Sequence, residues 1–182
     1  VQYVCRAGNF LKKGLPYTGA LKVLKVMMGY EYLWTQVRVK GGAYGCMCTF
    51  SRSGDSYFVS YRDPNLEKTI ETYQEAADYV KNYEADERTV TQFIIGAVSE
   101  LDTPMTPKGR GNYSLSGYLT GLTMDRIQQE RDELLATTAE TIKGLSCYIE
   151  AFMKDDCLCV VGNGEKIKEE KKLFLSVDQL FH

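Results

Sequence analysis

The chain opens on an alternation. In VQYVCRAGNF, Val1, Tyr3 and Cys5 alternate with Gln2, Val4 and Arg6, the period of two that a strand requires. After a loop containing glycine and proline, Thr18 is placed to cap a helix running to about Lys40. Leu21, Leu24, Met28 and Tyr32 fall on one stripe of it, and Val23, Met27 and Trp34 broaden that stripe. An apolar face of that width predicts a helix buried against a sheet. Gly41 and Gly42 then end it, because glycine enters the left-handed conformation used at helix C-termini. From Tyr44 the period returns to two, with Tyr44, Cys46, Cys48 and Phe50 facing one way and Gly45, Met47 and Thr49 the other. SRSGD, residues 51–55, reads as a turn, and SYFVSYR as a second alternating run ending at Arg62, so the two runs form a hairpin.

Asp63-Pro64 supplies a capping residue and a proline for the first helical position, followed by Leu66, Ile70, Tyr73, Ala77 and Val80 on one helical face. A further helix is predicted near Glu87–Leu101, with Val90, Phe93, Ile94, Ala97 and Leu101 inward. DTPMTPKGRGN, residues 102–112, holds two prolines and two glycines and is expected to be a mobile loop. A short helical piece follows around 115–122, then a helix capped by Thr123. TTAE, Thr137–Glu140, matches a capping box before Ile142, Leu145, Ile149 and Phe152. The strand CLCVV and a charged amphipathic helix after Asn163-Gly164 close the chain. This order, β-α-β-β-α-α-α-α-α-β-α, predicts an α+β fold: one mostly antiparallel sheet covered by helices on one face, as a single domain over residues 1–182.

Composition narrows the function classes. Twenty-two basic residues against 24 acidic ones, with the basic residues dispersed, argue against nucleic acid or an anionic membrane as the main partner. Lys22, Lys25 and Glu31 interrupt the longest apolar run, so no transmembrane helix is expected. A chain that begins at Val1 inside a strand pattern is expected to be a fragment of a longer polypeptide. Of the six cysteines, Cys46/Cys48 and Cys157/Cys159 are Cys-x-Cys pairs in strand-like runs, where both thiols share a face. They are expected to be reduced, core-lining residues. With no leader in view, cytoplasm is the expected compartment.

Candidate chemistry is sparse. The one histidine, His182, is the last residue, so a histidine-based zinc site cannot be built from this chain, and serine or cysteine nucleophiles lack an internal histidine base. Glu130, Asp132 and Glu133 could be read as paired carboxylates, but their spacing suits the solvated face of a helix. GNGEK, Gly162–Lys166, lacks the phosphate-loop pattern. There remains RVKGGAYGCMC, Arg38–Cys48, which admits two readings. Gly41-Gly42 is a helix stop before a strand. Alternatively, the reversal brings a guanidinium, Arg38, and a phenol, Tyr44, to its two ends, and these are hydrogen-bond donors that suit one carbonyl oxygen; on spacing alone the helix stop is the favoured reading.

VRVKGGAYG, together with SGDSYFVSYRDPNLEKT and IIGAVSELDTPMTPKGRG, resembles the C-terminal half of the pitrilysin/insulinase-type zinc metallopeptidases, the inverzincins, in their presequence-protease-like branch. The resemblance covers most of the chain, and Arg-x-x-x-Gly-Gly-Ala-Tyr-Gly is its most specific part. It implies a peptidase of two similar halves closing around an unfolded peptide. The N-terminal half would hold zinc on a His-x-x-Glu-His motif whose glutamate activates water. The C-terminal half would supply Arg38 and Tyr44 as catalytic residues on the substrate carbonyl, with Gly41, Gly42, Ala43 and Gly45 forming the substrate-binding turn. No His-x-x-Glu-His occurs here. The resemblance therefore implies zinc in the full-length enzyme and no metal in this chain, which alone would be inactive. The implied partners are the N-terminal half of the same polypeptide and peptide substrates. The alternative is a non-catalytic scaffold or recognition homologue of the same fold.

Overall fold

A computed structural model describes residues 1–179; His182 lies outside them. Four strands form one antiparallel sheet: β1 (Gln2–Asn9), β2 (Gly45–Phe50), β3 (Asp55–Asp63) and β4 (Cys157–Gly162), in the order β2-β3-β1-β4. The helices are α1 (Ala20–Met27), α2 (Glu67–Lys81), α3 (Glu87–Leu101), α4 (Pro107–Thr120), α5 (Met124–Leu135), α6 (Ala139–Gly144), α7 (Ser146–Met153) and α8 (Gly164–Glu169). The α+β class is as the periodicities predict.

Strand alternation decides which side chains meet the helices. Val4 of β1, Cys48 and Phe50 of β2 and Phe58 of β3 point inward and are buried. Phe58 meets Phe152 of α7 edge to face at 5.1 Å, and Phe50 meets both rings in the same manner. Such pairs add about 0.5–1.5 kcal/mol each beyond the area they bury. On the outer face, Tyr3 and Cys5 of β1, Met47 of β2, Tyr61 of β3 and Cys157, Cys159 and Val161 of β4 are left partly or well exposed.

Several local expectations are corrected. The run from Thr18 to Lys40 is not one α-helix. Past Met27 the chain widens into a π-helix over Met28–Lys40, an i→i+5 winding that is rare and usually confined to single turns. Its buried positions are Met28, the adjacent pair Tyr32 and Leu33 four and five residues on, and Val37 four and five beyond that pair, and Trp34 is 43% exposed instead of broadening the core stripe. Thr18 does not cap α1. Its hydroxyl donates to Glu133 Oε2 at 2.8 Å, and the same oxygen takes the Gly19 N–H at 2.7 Å, so the cap is a carboxylate brought in from α5.

Pro64 does not occupy the first position of α2, which begins at Glu67. The 102–112 segment is a loop only as far as Thr106: Pro107 sits at the start of α4, and the Thr106 hydroxyl accepts the Gly109 N–H. Proline marked a helix start there rather than a break. The capping box is shifted by one residue, to Thr138 and Thr141, while the Thr137 hydroxyl donates to the Glu133 carbonyl.

Glu130 is not a solvated helix charge. It is 2% exposed and holds Arg52 of the β2–β3 turn at 2.7 Å and Arg126 at 3.3 Å. Linear spacing could not reveal this, since Arg52 lies 78 residues away. The cysteines divide as well. Cys48 is buried and Cys46 half-buried, and burial pushes their thiols up to about 12 and about 11 respectively. Cys157 and Cys159 are exposed, because Leu158 and Val160 take the inner face of β4.

Candidate functional site: the turn between the π-helix and β2

Residues 38–45 form a reversal whose shape is dictated by its glycines. A Cβ on Gly41 would stand 2.4 Å from the Val37 carbonyl oxygen, and Gly42 has φ +80°, a conformation that side chains other than glycine's disfavour. The Gly42 N–H donates to the Arg38 carbonyl at 2.9 Å, and the Ala43 N–H to the Val37 carbonyl at 3.2 Å. Each bond spans one residue more than in an ordinary Schellman closure, as suits a π-wound terminus. Ala43 is 4% exposed and anchors the turn in the core. A Cβ on Gly45 would lie 3.1 Å from the Tyr61 ring, so strand β2 begins against that ring.

The segment RDPN, Arg62–Asn65, packs beneath this turn. Asn65 Nδ2 donates to the Gly41 carbonyl. The Asn65 N–H is held by Asp63 Oδ1 at 2.9 Å, and Asp63 Oδ2 takes the Thr69 hydroxyl at 2.8 Å. Asp63 is fully buried, so these bonds offset the cost of removing its charge from water. Gln2 Nε2 donates to the Asn65 carbonyl at 3.2 Å, and Lys166 Nζ to the Pro64 carbonyl. The GGAYG and SYRDPN segments, joined by a hydrogen bond between residues 24 apart in sequence, are one structural unit.

Arg38 lies in the last turn of the π-helix with its guanidinium 3.8 Å from the centre of the Trp34 ring, a stacking that leaves the in-plane N–H groups free to donate. Tyr44, immediately before β2, is 59% exposed. Its ring meets Tyr61 edge to face at 5.1 Å, and the Arg62 guanidinium stands 5.8 Å from its centre. Among the described residues neither the Arg38 side chain nor the Tyr44 hydroxyl makes a hydrogen bond or ion pair. The structure thus places two uncommitted donors on the two arms of one braced turn.

Sequence reasoning missed Arg62. Gln2 pairs with Asp63 and Val4 with Ser60, so Tyr61 and Arg62 together oppose the single residue Tyr3, a β-bulge. Arg62 has φ +51°, in the left-handed region. A signal was present: strict alternation would turn Arg62 to the inner face beside Phe58 and Ser60, an implausible place for a charge.

No three His, Cys, Asp or Glu side chains converge among the described residues. They therefore do not fit a zinc ion. No helix among them is long and apolar enough to cross a membrane.

Residues 1–161 match the family model of the PreP C-terminal domain. Over 97% of its length the chain is 45% identical to Protein HypA of Clostridium perfringens, and over 92% it is 35% identical to presequence protease 1, chloroplastic/mitochondrial, of Arabidopsis thaliana. It spans only 18% and 16% of those relatives. The fold is also that of a peptidase M16 inactive domain from Pseudomonas fluorescens, at a TM-score of 0.59 and 15% identity, covering 88% of this chain and 39% of that one. The chain therefore belongs to the PreP C-terminal domain family, as a C-terminal-half domain of a pitrilysin-type protease.

Proposed function

We propose that this domain binds the scissile carbonyl of an unfolded peptide within a zinc metalloendopeptidase, through Arg38 and Tyr44. The observation that carries this reading is the pair of uncommitted donors on one rigid turn. Hydrolysis of a peptide bond puts negative charge on the carbonyl oxygen, and donors fixed in advance need no reorganisation when that charge develops. Arg38 brings a permanent cation with planar N–H groups, and Tyr44 a neutral O–H. Gly41, Gly42, Ala43 and Gly45 keep the turn low enough for a peptide backbone to approach.

Zinc and its water would be held by the N-terminal half of the same polypeptide, so this chain alone is expected to be inactive. The partners in this reading are that half and peptide substrates. Six free thiols suit a reducing compartment, and for this protein we propose the cytoplasm.

The test is peptide cleavage by the full-length polypeptide. Arg38→Ala and Tyr44→Phe should each lower kcat by about 10²-fold to 10³-fold, the usual effect of removing one oxyanion donor, with unchanged melting temperatures. Full activity in both variants would sink the proposal. A parent polypeptide lacking His-x-x-Glu-His would instead favour the scaffold reading.

A further inference from the structure

We propose that Arg62 is a positioning residue for Tyr44, an assignment that rests on the carbonyl-binding reading above. Three observations carry it. The first is backbone geometry. A β-bulge at Tyr61-Arg62 breaks the register of β3 against β1, and Arg62 adopts φ +51°. An arginine gains nothing locally from a left-handed conformation, which glycine or asparagine accepts more readily. Strain of this kind persists only where the surrounding structure imposes it.

The second is where the bulge sends the side chain. Without it, alternation would bury Arg62 against the helices. With it, Arg62 is exposed and its guanidinium stands 5.8 Å from the centre of the Tyr44 ring. The third is what else holds that ring. Tyr61, the other residue of the bulge, meets Tyr44 edge to face at 5.1 Å with 73° between the planes, and Tyr3 lies 5.7 Å from Tyr61. Tyr44 is otherwise largely in solvent, where a side chain at a strand end samples several rotamers. The ring edge of Tyr61 and the cation of Arg62 together select one. Among the described residues the Arg62 side chain has no hydrogen bond or ion pair, so its one specific contact is with Tyr44. The bulge thus converts an irregularity in the sheet into a fixed direction for the phenolic O–H.

The experiment uses the full-length polypeptide and compares Arg62→Gly, Arg62→Lys, Tyr44→Phe and the Arg62→Gly/Tyr44→Phe double variant. Arg62→Gly removes the cation and relieves the backbone. It should melt at the same temperature or higher, while kcat falls about 5-fold, the range of one partly exposed cation–π contact, with KM within 2-fold. Arg62→Lys, which keeps the charge, should recover most of that loss. In the Tyr44→Phe background, where the hydroxyl to be aimed is gone, Arg62→Gly should cost no further activity.

A lower melting temperature with activity lost in proportion would make Arg62 merely structural and overturn the assignment. So would an equal loss with and without the Tyr44 hydroxyl, which would mean that Arg62 acts independently of it. Unchanged kcat in Arg62→Gly alongside large losses in Arg38→Ala and Tyr44→Phe would overturn the role of Arg62 alone. Full activity in Arg38→Ala and Tyr44→Phe would overturn the carbonyl-binding reading and this inference with it.

Discussion

Asn65 donates a side-chain hydrogen bond to the carbonyl of Gly41, tying the end of the RDPN segment to the turn that separates Arg38 from Tyr44. A glycine turn alone is a loose hinge, since glycine carries more conformational freedom than any other residue. Asn65 removes that freedom from outside, and Asp63 in turn fixes the Asn65 backbone.

Asn65→Ala should therefore do two separable things. Loss of one partly buried hydrogen bond should lower the unfolding free energy by about 1–2 kcal/mol, measurable by denaturant titration of the isolated domain. Loss of the brace should lower kcat of the full-length polypeptide, with the deficit persisting at temperatures where the variant remains fully folded. Wild-type kcat in a variant destabilised by that amount would show that the turn is rigid without Asn65.

The glycines of the turn make a graded series. Gly41→Ala drives a Cβ to within 2.4 Å of a backbone oxygen, which cannot yield as a side chain tip would, so it is expected to cost about 2–4 kcal/mol by forcing the helix end to move. Gly42→Ala meets only the Pro64 ring, at an ordinary contact distance of 3.6 Å, but must hold φ +80°, a penalty of about 1–2 kcal/mol. Gly111→Ala, in α4 with nothing near its Cβ, should instead stabilise by about 0.5–1 kcal/mol. Thermal unfolding of the three variants checks the order, and Gly41→Ala as stable as Gly111→Ala would contradict the tight closure.

Much of this fold was legible because its strands alternate cleanly and its apolar stripes are wide. Leu21, Leu24, Met28 and Tyr32 are buried, as their spacing predicts, and the β2–β3 hairpin turns within SRSGD. What was not legible depends on partners far off in sequence. Glu133 caps α1 from 114 residues away, and Glu130 is buried because Arg52 reaches it from a turn. The π-helix was hidden for another reason: positions 28, 32 and 37 fit either winding, so the apolar pattern alone cannot separate i→i+4 from i→i+5. Within the candidate site, Arg38, Tyr44 and the glycines are a reading of the sequence that the turn's geometry accommodates, whereas Arg62 reads in the sequence only as the last residue of an alternating run.

Acid should unfold the domain partly through Glu133. Burial works to raise its carboxyl, but the Gly19 N–H and the Thr18 hydroxyl bind the ionised form more strongly, and the net result is a lowered value. A carboxyl depressed in the folded state contributes stability above its unfolded value, about 4.3, and loses it as pH falls through the folded value. Stability measured between pH 7 and pH 3 should therefore decline below about pH 4.5. Glu133→Gln should be less stable than wild type at neutral pH and show a shallower acid limb. An acid limb identical to wild type would mean that other carboxylates, such as Asp155 beside Lys13, carry the effect.

The strand register itself can be tested through two thiols. Cys5 of β1 and Cys159 of β4 are directly opposed on the outer sheet face, where Cβ atoms of such pairs lie about 4.5–5.5 Å apart, close to the span of a disulfide. Cys159 is exposed and β4 is an edge strand, free to shear by the remaining fraction of an ångström. With oxidised glutathione, the Cys159 thiolate attacks one sulfur and releases one glutathione. The Cys5 thiolate then displaces the second, giving one protein disulfide and two reduced glutathiones. Burial raises the Cys5 thiol, with the Cys159 charge adding to it, so the second step should accelerate as pH rises through and beyond the usual thiol range, about 8.5. Peptide mapping without reductant should link residues 5 and 159 and leave Cys46 and Cys48, on the inner face of β2, unlinked. A dominant bridge from Cys5 to Cys157 would place β4 two residues out of register.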